Sequence, residues 1–312
     1  MKYNYLFGPV PSRRLGMSLG VDLVPKKVCS LDCVYCEVGK TTLLTTERKE
    51  YISFEKITEE IRHYFEHNAK PDFITLTGSG EPTLHSRIGD VVKYVKYYHP
   101  KVPVAVITNG TLLNHAKLRD ELMNADVILP SLDAATDAVF NKINRAFPQI
   151  RVNDHVEGLV KFRKQFTGKI WLEVFILPGY NMHSEELTQL KEKIKQIAPD
   201  AIQLNTLDRP GVLEGLIPAT HKELAAIAKH LSSESTEIIL KPPKQSNSTA
   251  EMKDVKSLIM NTLRRRPCTI DDLTKVTGLS EVVLTKHIST LNANGDIECF
   301  DQKRGMFYRM KG

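Results

Sequence analysis

Three of the five cysteines lie within eight residues in "KKVCSLDCVYCEVGK" (26–40), where Cys29, Cys33 and Cys36 are spaced C-x3-C-x2-C. Thiols this close along the chain suit a shared metal centre. A structural zinc takes four protein ligands, and an iron–sulfur cluster is commonly held by four cysteines. Three thiolates leave one coordination position open, as a catalytic metal requires. The spacing alone leaves two occupants: one zinc ion, or a [4Fe–4S] cluster with three irons ligated and the fourth free. Lys26, Lys27 and Lys40 flank the cysteines; they read as solvated, with stabilisation of thiolates as the alternative. Cys268 and Cys299 stand far along the chain and read as small apolar core residues.

Other chemistry-bearing residues follow short apolar runs. In "TGSGEPTL" (77–84), Gly78 and Gly80 would let backbone approach a ligand closely, and Glu81 with nearby carbonyls suits an ammonium group. Polar residues also close the runs ending "TNGTLL" (108–113) and "PSLDA" (130–134). Each has a local alternative as a turn or a helix cap. Three further signals lead elsewhere. "VGKTT" (38–42) lacks the first glycine of a phosphate-binding loop, because Val34 stands there. His63 and His67, with Glu60 and Glu66 beside them on a polar helix face, read as solvent-exposed. Trp171 and Phe175 alternate within a strand and read as core.

These residues need elements to position them. Strands are expected at 17–24, 72–77, 103–108, 126–132, 169–177 and 200–205, separated by amphipathic helical runs such as "SFEKITEEIRHYFEHN" and "SEELTQLKEKIKQIA". Strand and helix alternating in this way make an α/β fold with a parallel sheet, and the nearly continuous apolar strands fit burial on both faces. The pattern alone does not separate an open doubly wound sheet from a barrel. "KPPKQSNSTAE" (241–251) reads as a linker. Three helical runs and a hairpin turning at 302–305 follow it, the plan of a winged helix. The expected domains are thus 1–240, a linker at 241–252, and 253–312.

With 312 residues, 41% of them hydrophobic, the chain can bury a substantial core. No apolar run approaches the roughly 20 residues of a membrane span, and the first residues lack a signal-peptide pattern. A cytoplasmic location without membrane contact is the expectation, and there clustered cysteines are ligands more often than disulfides. A net charge of +6 permits an anionic partner without demanding one. Eleven Lys/Arg against seven Asp/Glu make residues 253–311 more basic than the rest.

Cys29-x3-Cys33-Val34-Tyr35-Cys36 resembles the signature of the radical S-adenosylmethionine (SAM) superfamily, and "TGSGEPTL" is similar to that family's "GGEP" motif, with Ser79 in place of one glycine. The resemblance implies a partial (β/α)6 barrel, a TIM-like fold, with a [4Fe–4S] cluster and SAM as cofactors. It implies that the cluster reductively cleaves SAM to a 5′-deoxyadenosyl radical. It assigns Cys29, Cys33 and Cys36 to the cluster, with Tyr35 packed beside it, and Gly78, Ser79, Gly80 and Glu81 to the SAM amino group. Thr108, Asn109, Ser131 and Asp133 fall at its ribose and carboxylate, and Ile176 and Leu177 at an apolar floor for adenine. The opening "FGPVPSRRLGMSLGVDL" further resembles the wyosine-synthase-like oxidoreductases, although no cysteine precedes Cys29 to hold their second cluster. Arg13 and Arg14 in that stretch either meet a substrate anion or cap the barrel.

The implied enzyme takes electrons from a donor such as flavodoxin or ferredoxin and recruits an RNA or a peptide through the winged helix. The rival reading is an iron–sulfur sensor coupled to a DNA-binding winged helix, with Lys303 and Arg304 tracking phosphates. Lys286 is the only fixed positive charge on the expected reading helix at 280–294. The sensor reading leaves "TGSGEPTL", "TNGTLL" and "PSLDA" without a role.

Overall fold

The computed structural model describes residues 3–12, 14–231, 236–238, 255–302 and 304–311. The expected linker at 241–252, and Arg13 and Lys303, lie outside them. The chain opens with β1 (Leu6–Ser12), antiparallel to β2 (Gly16–Asp22). β1 was not among the expected strands because it carries Pro9 and Pro11; it lies at the sheet edge, where proline costs no ladder bond. Two short parallel strands, β3 (Val28–Cys29) and β4 (Leu43–Leu44), bracket the cysteine loop.

Strand and helix then alternate: α1 (Phe54–His67), β5 (Phe73–Thr77), α2 (Ile88–Tyr98), β6 (Val104–Thr108), α3 (Ala116–Leu122) and β7 (Val127–Pro130). α4 (Asp137–Ile143), α5 (Val152–Gln165), β8 (Lys169–Phe175), α6 (Ser184–Ile197), β9 (Ala201–Asn205), α7 (His221–Leu231) and β10 (Thr236–Ile238) complete the series. The sheet runs β1-β2-β5-β6-β7-β8-β9-β10, parallel from β2 onward. All six expected strands are present. Each helix turns an apolar stripe inward; in α1 it is Ile57, Ile61 and Tyr64, at helical spacing.

The sheet is curled. Arg14, in the turn after β1, donates to Gln203 Oε1 on β9 at 2.9 Å and pairs with Glu173 on β8. In a flat sheet β2 and β9 would stand five strand spacings apart, roughly 24 Å. One side chain reaches across because the strands wrap around a concave, partly polar interior in which Ser18 and Thr75 bond at 2.6 Å.

The remaining elements are α8 (Val255–Arg265), α9 (Ile270–Thr277), α10 (Glu281–Ala293), and the hairpin β11 (Ile297–Gln302) with β12 (Gly305–Met310). They enclose a separate core of Ile259, Leu263, Leu273, Leu284, Ile288, Leu291 and Ile297. A capping box between Thr269 and Asp272 starts α9, and left-handed Gly278 ends it. Cys268 is buried as expected; Cys299 is exposed, because its position on the two-stranded hairpin faces solvent.

This unit docks on the mouth of the curled sheet through charge. Arg265 pairs with Asp22 and stacks over Phe7 at 3.8 Å. Arg304 bonds Asp272 at 2.6 Å and Asp208 at 2.7 Å. Arg304 was expected to track phosphate; its carboxylate partners, like that of Arg265, sit across an internal interface invisible to local sequence. Arg209 is buried between Glu37 at 3.1 Å and Asp272 at 3.3 Å. Burial acts to lower its pKa, but Glu37 and Asp272 outweigh it and leave the guanidinium raised.

Removing one partner from such a buried network leaves an uncompensated charge. Asp272→Ala should therefore cost roughly 3 kcal/mol, read as a fall in the denaturation midpoint at constant slope. A loss below about 1 kcal/mol, the range of exposed pairs, would mean that these charges do not hold the docked unit.

Candidate cluster and cofactor site

The cysteine loop leaves β2 and packs against the loop that leaves β5. Lys27 N donates to Ser79 O at 2.6 Å, and Glu81 N to Val28 O at 2.9 Å. The two glycines serve this approach. A Cβ on Gly78, at φ +124°, would lie 1.5 Å from Asp22 Oδ1, and one on Gly80 would lie 2.3 Å from Val28 O. Ser79 N donates to the same Asp22 carboxylate at 3.0 Å.

Two buried carboxylates tie the strand ends together. Glu81 Oε1 accepts from Thr108 Oγ1 at 2.6 Å and from Thr83 N and Oγ1, while Oε2 accepts from Asn109 N at 2.7 Å. Asp133 accepts from Tyr35 Oη, from Asn144 Nδ2 at 2.7 Å and from Phe175 N at 2.9 Å. Burial raises the pKa of both carboxyls, and these donors act against it. Thr108, Asn109 and Glu81 thus bind one another.

Each thiol receives a polar partner. Leu31 N lies 3.4 Å and Asn109 Nδ2 3.6 Å from Cys29 Sγ. Asn144 Nδ2 lies 3.4 Å from Cys33 Sγ, and Lys27 Nζ 3.1 Å from Cys36 Sγ. All three thiols are free. Burial pushes Cys29 up to about 12 and raises Cys33 as well, so metal binding must displace their protons. Among the described residues no group of three His, Cys, Asp or Glu side chains is gathered as a metal-ion site. The three thiols are nevertheless close enough to act on one another's ionisation.

Tyr35, Cys36, Ser131, Asp133 and Phe175 line a pocket of about 220 Å³. It shares Glu37, Glu173, Phe175 and Asn205 with a cavity of about 1090 Å³ between the concave sheet face and α8–α9, which Gly78 and Ser79 also line. Gly80, Glu81, Thr108, Asn109, Ile176 and Leu177 line neither. Ile176 and Leu177 are fully buried, Leu177 in the core that abuts Cys33 and Tyr35.

Three readings change. Lys27 is not solvated; it is 4% exposed, whereas Lys26 and Lys40 are exposed. Phe175 is not core filling alone, since it stacks on Tyr35 at 3.7 Å and walls both cavities. Glu60 is buried, accepting from the backbone N–H groups of Asn4, Tyr5 and Leu6. Asn144, which bridges Asp133 and Cys33, was missed because nothing local marks it. Lys27 had a signal in its place beside the first cysteine.

The sequence profile of the Radical SAM superfamily matches residues 23–190. The chain belongs to this superfamily. It is 35% identical over 271 residues to a protein named GTPase Obg from Brachyspira hyodysenteriae, covering 86% of this chain and 40% of that one. It is 35% identical over 206 residues to a UPF0026 protein from Methanocaldococcus jannaschii, covering 65% of this chain and 64% of that one. The chain therefore spans less than two thirds of the length of either relative. A radical SAM methyltransferase from Sphaerobacter thermophilus superposes with a TM-score of 0.54 at 14% identity, over 71% of this chain and 65% of that one, a likeness of fold. No helix among the described residues is long and apolar enough to cross a membrane.

Behind the Asn109 loop, His155 is buried, and the Asn109 backbone only partly offsets the effect of that burial on its ring. Burial lowers its pKa to about 4. Between that value and about 6.5 the unfolded chain binds the proton and the folded chain does not, so stability falls as pH drops through this window. The loss approaches about 3 kcal/mol at its lower end. Denaturation of His155→Leu from pH 7 to 4 should show a shallower fall than the native chain; parallel curves would remove His155 as the cause.

Proposed function

We propose that this chain is a radical SAM enzyme in which Cys29, Cys33 and Cys36 hold three irons of a [4Fe–4S] cluster and SAM occupies the fourth. The observation that carries this reading is the donor set: each sulfur meets an N–H or ammonium group, the kind of hydrogen bonding that tunes the thiolates of such a cluster. The cluster and SAM together supply one-electron cleavage of a carbon–sulfur bond, yielding a radical able to abstract hydrogen, chemistry no side chain provides.

The protein's share is position and exclusion. Glu81 and Asp133 fix the ends of β5 to β8 around the cysteine loop, so that Gly78, Ser79 and Ser131 form the SAM rim with Thr108 and Asn109 supporting it from behind. Tyr35 and Phe175 form an apolar wall beside Cys36. Ile176 and Leu177 back that rim from within the core, so they act on adenine by shaping its floor. The curled sheet supports the partial (β/α)6 barrel, with residues 1–240 as the catalytic domain and 253–312 as a winged helix. The reading calls for a one-electron donor such as a flavodoxin or ferredoxin.

The winged helix recruits the substrate, an RNA or a peptide. Arg304 is engaged by Asp208 and Asp272, and Val282 and Val283 are exposed on α10; these two facts favour the peptide. No observation favours the DNA-binding sensor. The GTPase name of one relative is not carried over, because "VGKTT" fails the phosphate-loop pattern and the match spans 40% of that protein.

Anaerobic reconstitution with iron and sulfide, reduction with dithionite and addition of SAM should release 5′-deoxyadenosine, and Cys33→Ala should reduce release at least 100-fold. A full cluster that leaves SAM intact, in the presence of peptide and RNA fractions alike, would contradict the enzyme reading.

A further inference from the structure

Lys27 is an unusual residue in this site. Its side chain is buried, its ammonium lies 3.1 Å from Cys36 Sγ, and among the described residues no carboxylate pairs with it. Its backbone holds a left-handed φ of 59°, a region that residues bearing a Cβ rarely enter. The conformation is fixed from both sides. Lys27 N donates to Ser79 O at 2.6 Å, and Lys27 O accepts from Thr42 N at 3.0 Å and Leu43 N at 3.2 Å. A sparsely populated backbone conformation held by this many bonds is characteristic of functional sites. Here it aims a buried cation at a sulfur, between the Gly78–Glu81 loop and β4.

Two buried carboxylates stand beside the other two thiols. Glu81 acts on Cys29 and Asp133 on Cys33, and both carboxylates are buried. A cluster carried by three thiolates in such surroundings gains a further negative charge on reduction. Net charge and hydrogen bonds to the sulfurs are the protein's main means of setting a cluster's potential.

We propose that Lys27 is the built-in counter-charge of the cluster site, a positioning residue that raises the cluster's reduction potential through Cys36 and so eases uptake of the electron. The proposal rests on the cluster assignment made above for the three cysteines. The step it influences is a single-electron one: the donor is oxidised by one electron and the cluster reduced by one, with no bond to substrate formed or broken.

The test uses the full-length protein, reconstituted anaerobically and titrated without SAM against redox mediators, with the reduced cluster followed by electron paramagnetic resonance. Lys27→Met should lower the equilibrium constant for reduction at least tenfold, a fall of about 59 mV in midpoint for a one-electron couple. Lys27→Arg, which keeps the cation, should stay within threefold of the native protein. If Lys27→Met takes up no iron, Lys27→Gln carries the measurement, because it keeps an N–H donor and loses the charge. Equal midpoints in the native, Lys27→Gln and Lys27→Arg proteins would overturn the proposal and leave the cluster assignment standing. Failure of the native protein to bind four irons would overturn the cluster assignment itself.

Discussion

The site depends on two buried carboxylates that the protein uses as fasteners. Glu81 gathers donors from the end of β6 and from its own loop, while its N–H holds Val28 in the cysteine loop. Asp133 does the same for the end of β8, for Tyr35 in the cysteine loop and for Asn144 after α4. A buried carboxylate without donors costs several kcal/mol, whereas each charge-assisted bond returns about 1.5–3 kcal/mol. The arrangement is stable only when every donor is in place, so the loops that carry the thiols and the cofactor rim are formed together or not at all.

The same logic extends outward. Asp22 closes β2, holds Ser79 N and is itself paired with Arg265 from α8. Arg209 links Glu37, next to Cys36, with Asp272 at the start of α9. The C-terminal unit therefore reaches the cysteine loop through Arg209 and the Gly78–Glu81 loop through Asp22, and it walls the larger cavity. Its docking arginines are engaged with this chain's own carboxylates. They couple the cover of the larger cavity to the cysteine loop and the Gly78–Glu81 loop.

Much of this was legible in the sequence. Buried parallel strands announce themselves as apolar runs, so the strand at 72–77 is found at Phe73–Thr77 and that at 103–108 at Val104–Thr108. Polar residues close those runs, at the strand ends where a parallel sheet offers its ligand-binding positions. Roles were harder to read than places. Gly78 and Gly80 signal close approach, but only the fold shows that Asp22 and Val28 are what approach. Lys27 shares its place beside the cysteines with Lys26 and Lys40, and only its φ and burial set it apart from them. Asn144 and Arg265 act across more than 100 residues of chain, and no local pattern encodes a partner that distant.

On the proposed reading, three thiols leave one iron of a four-iron cluster open to SAM. Electron paramagnetic resonance of the dithionite-reduced, reconstituted protein with and without SAM tests it most directly. A [4Fe–4S]1+ signal whose g-values shift when SAM is added, with the Cys29→Ala protein giving no such cluster, is the predicted result. A signal that SAM leaves unchanged at saturating concentration, or a reconstituted protein that binds one zinc in place of four irons, would contradict it.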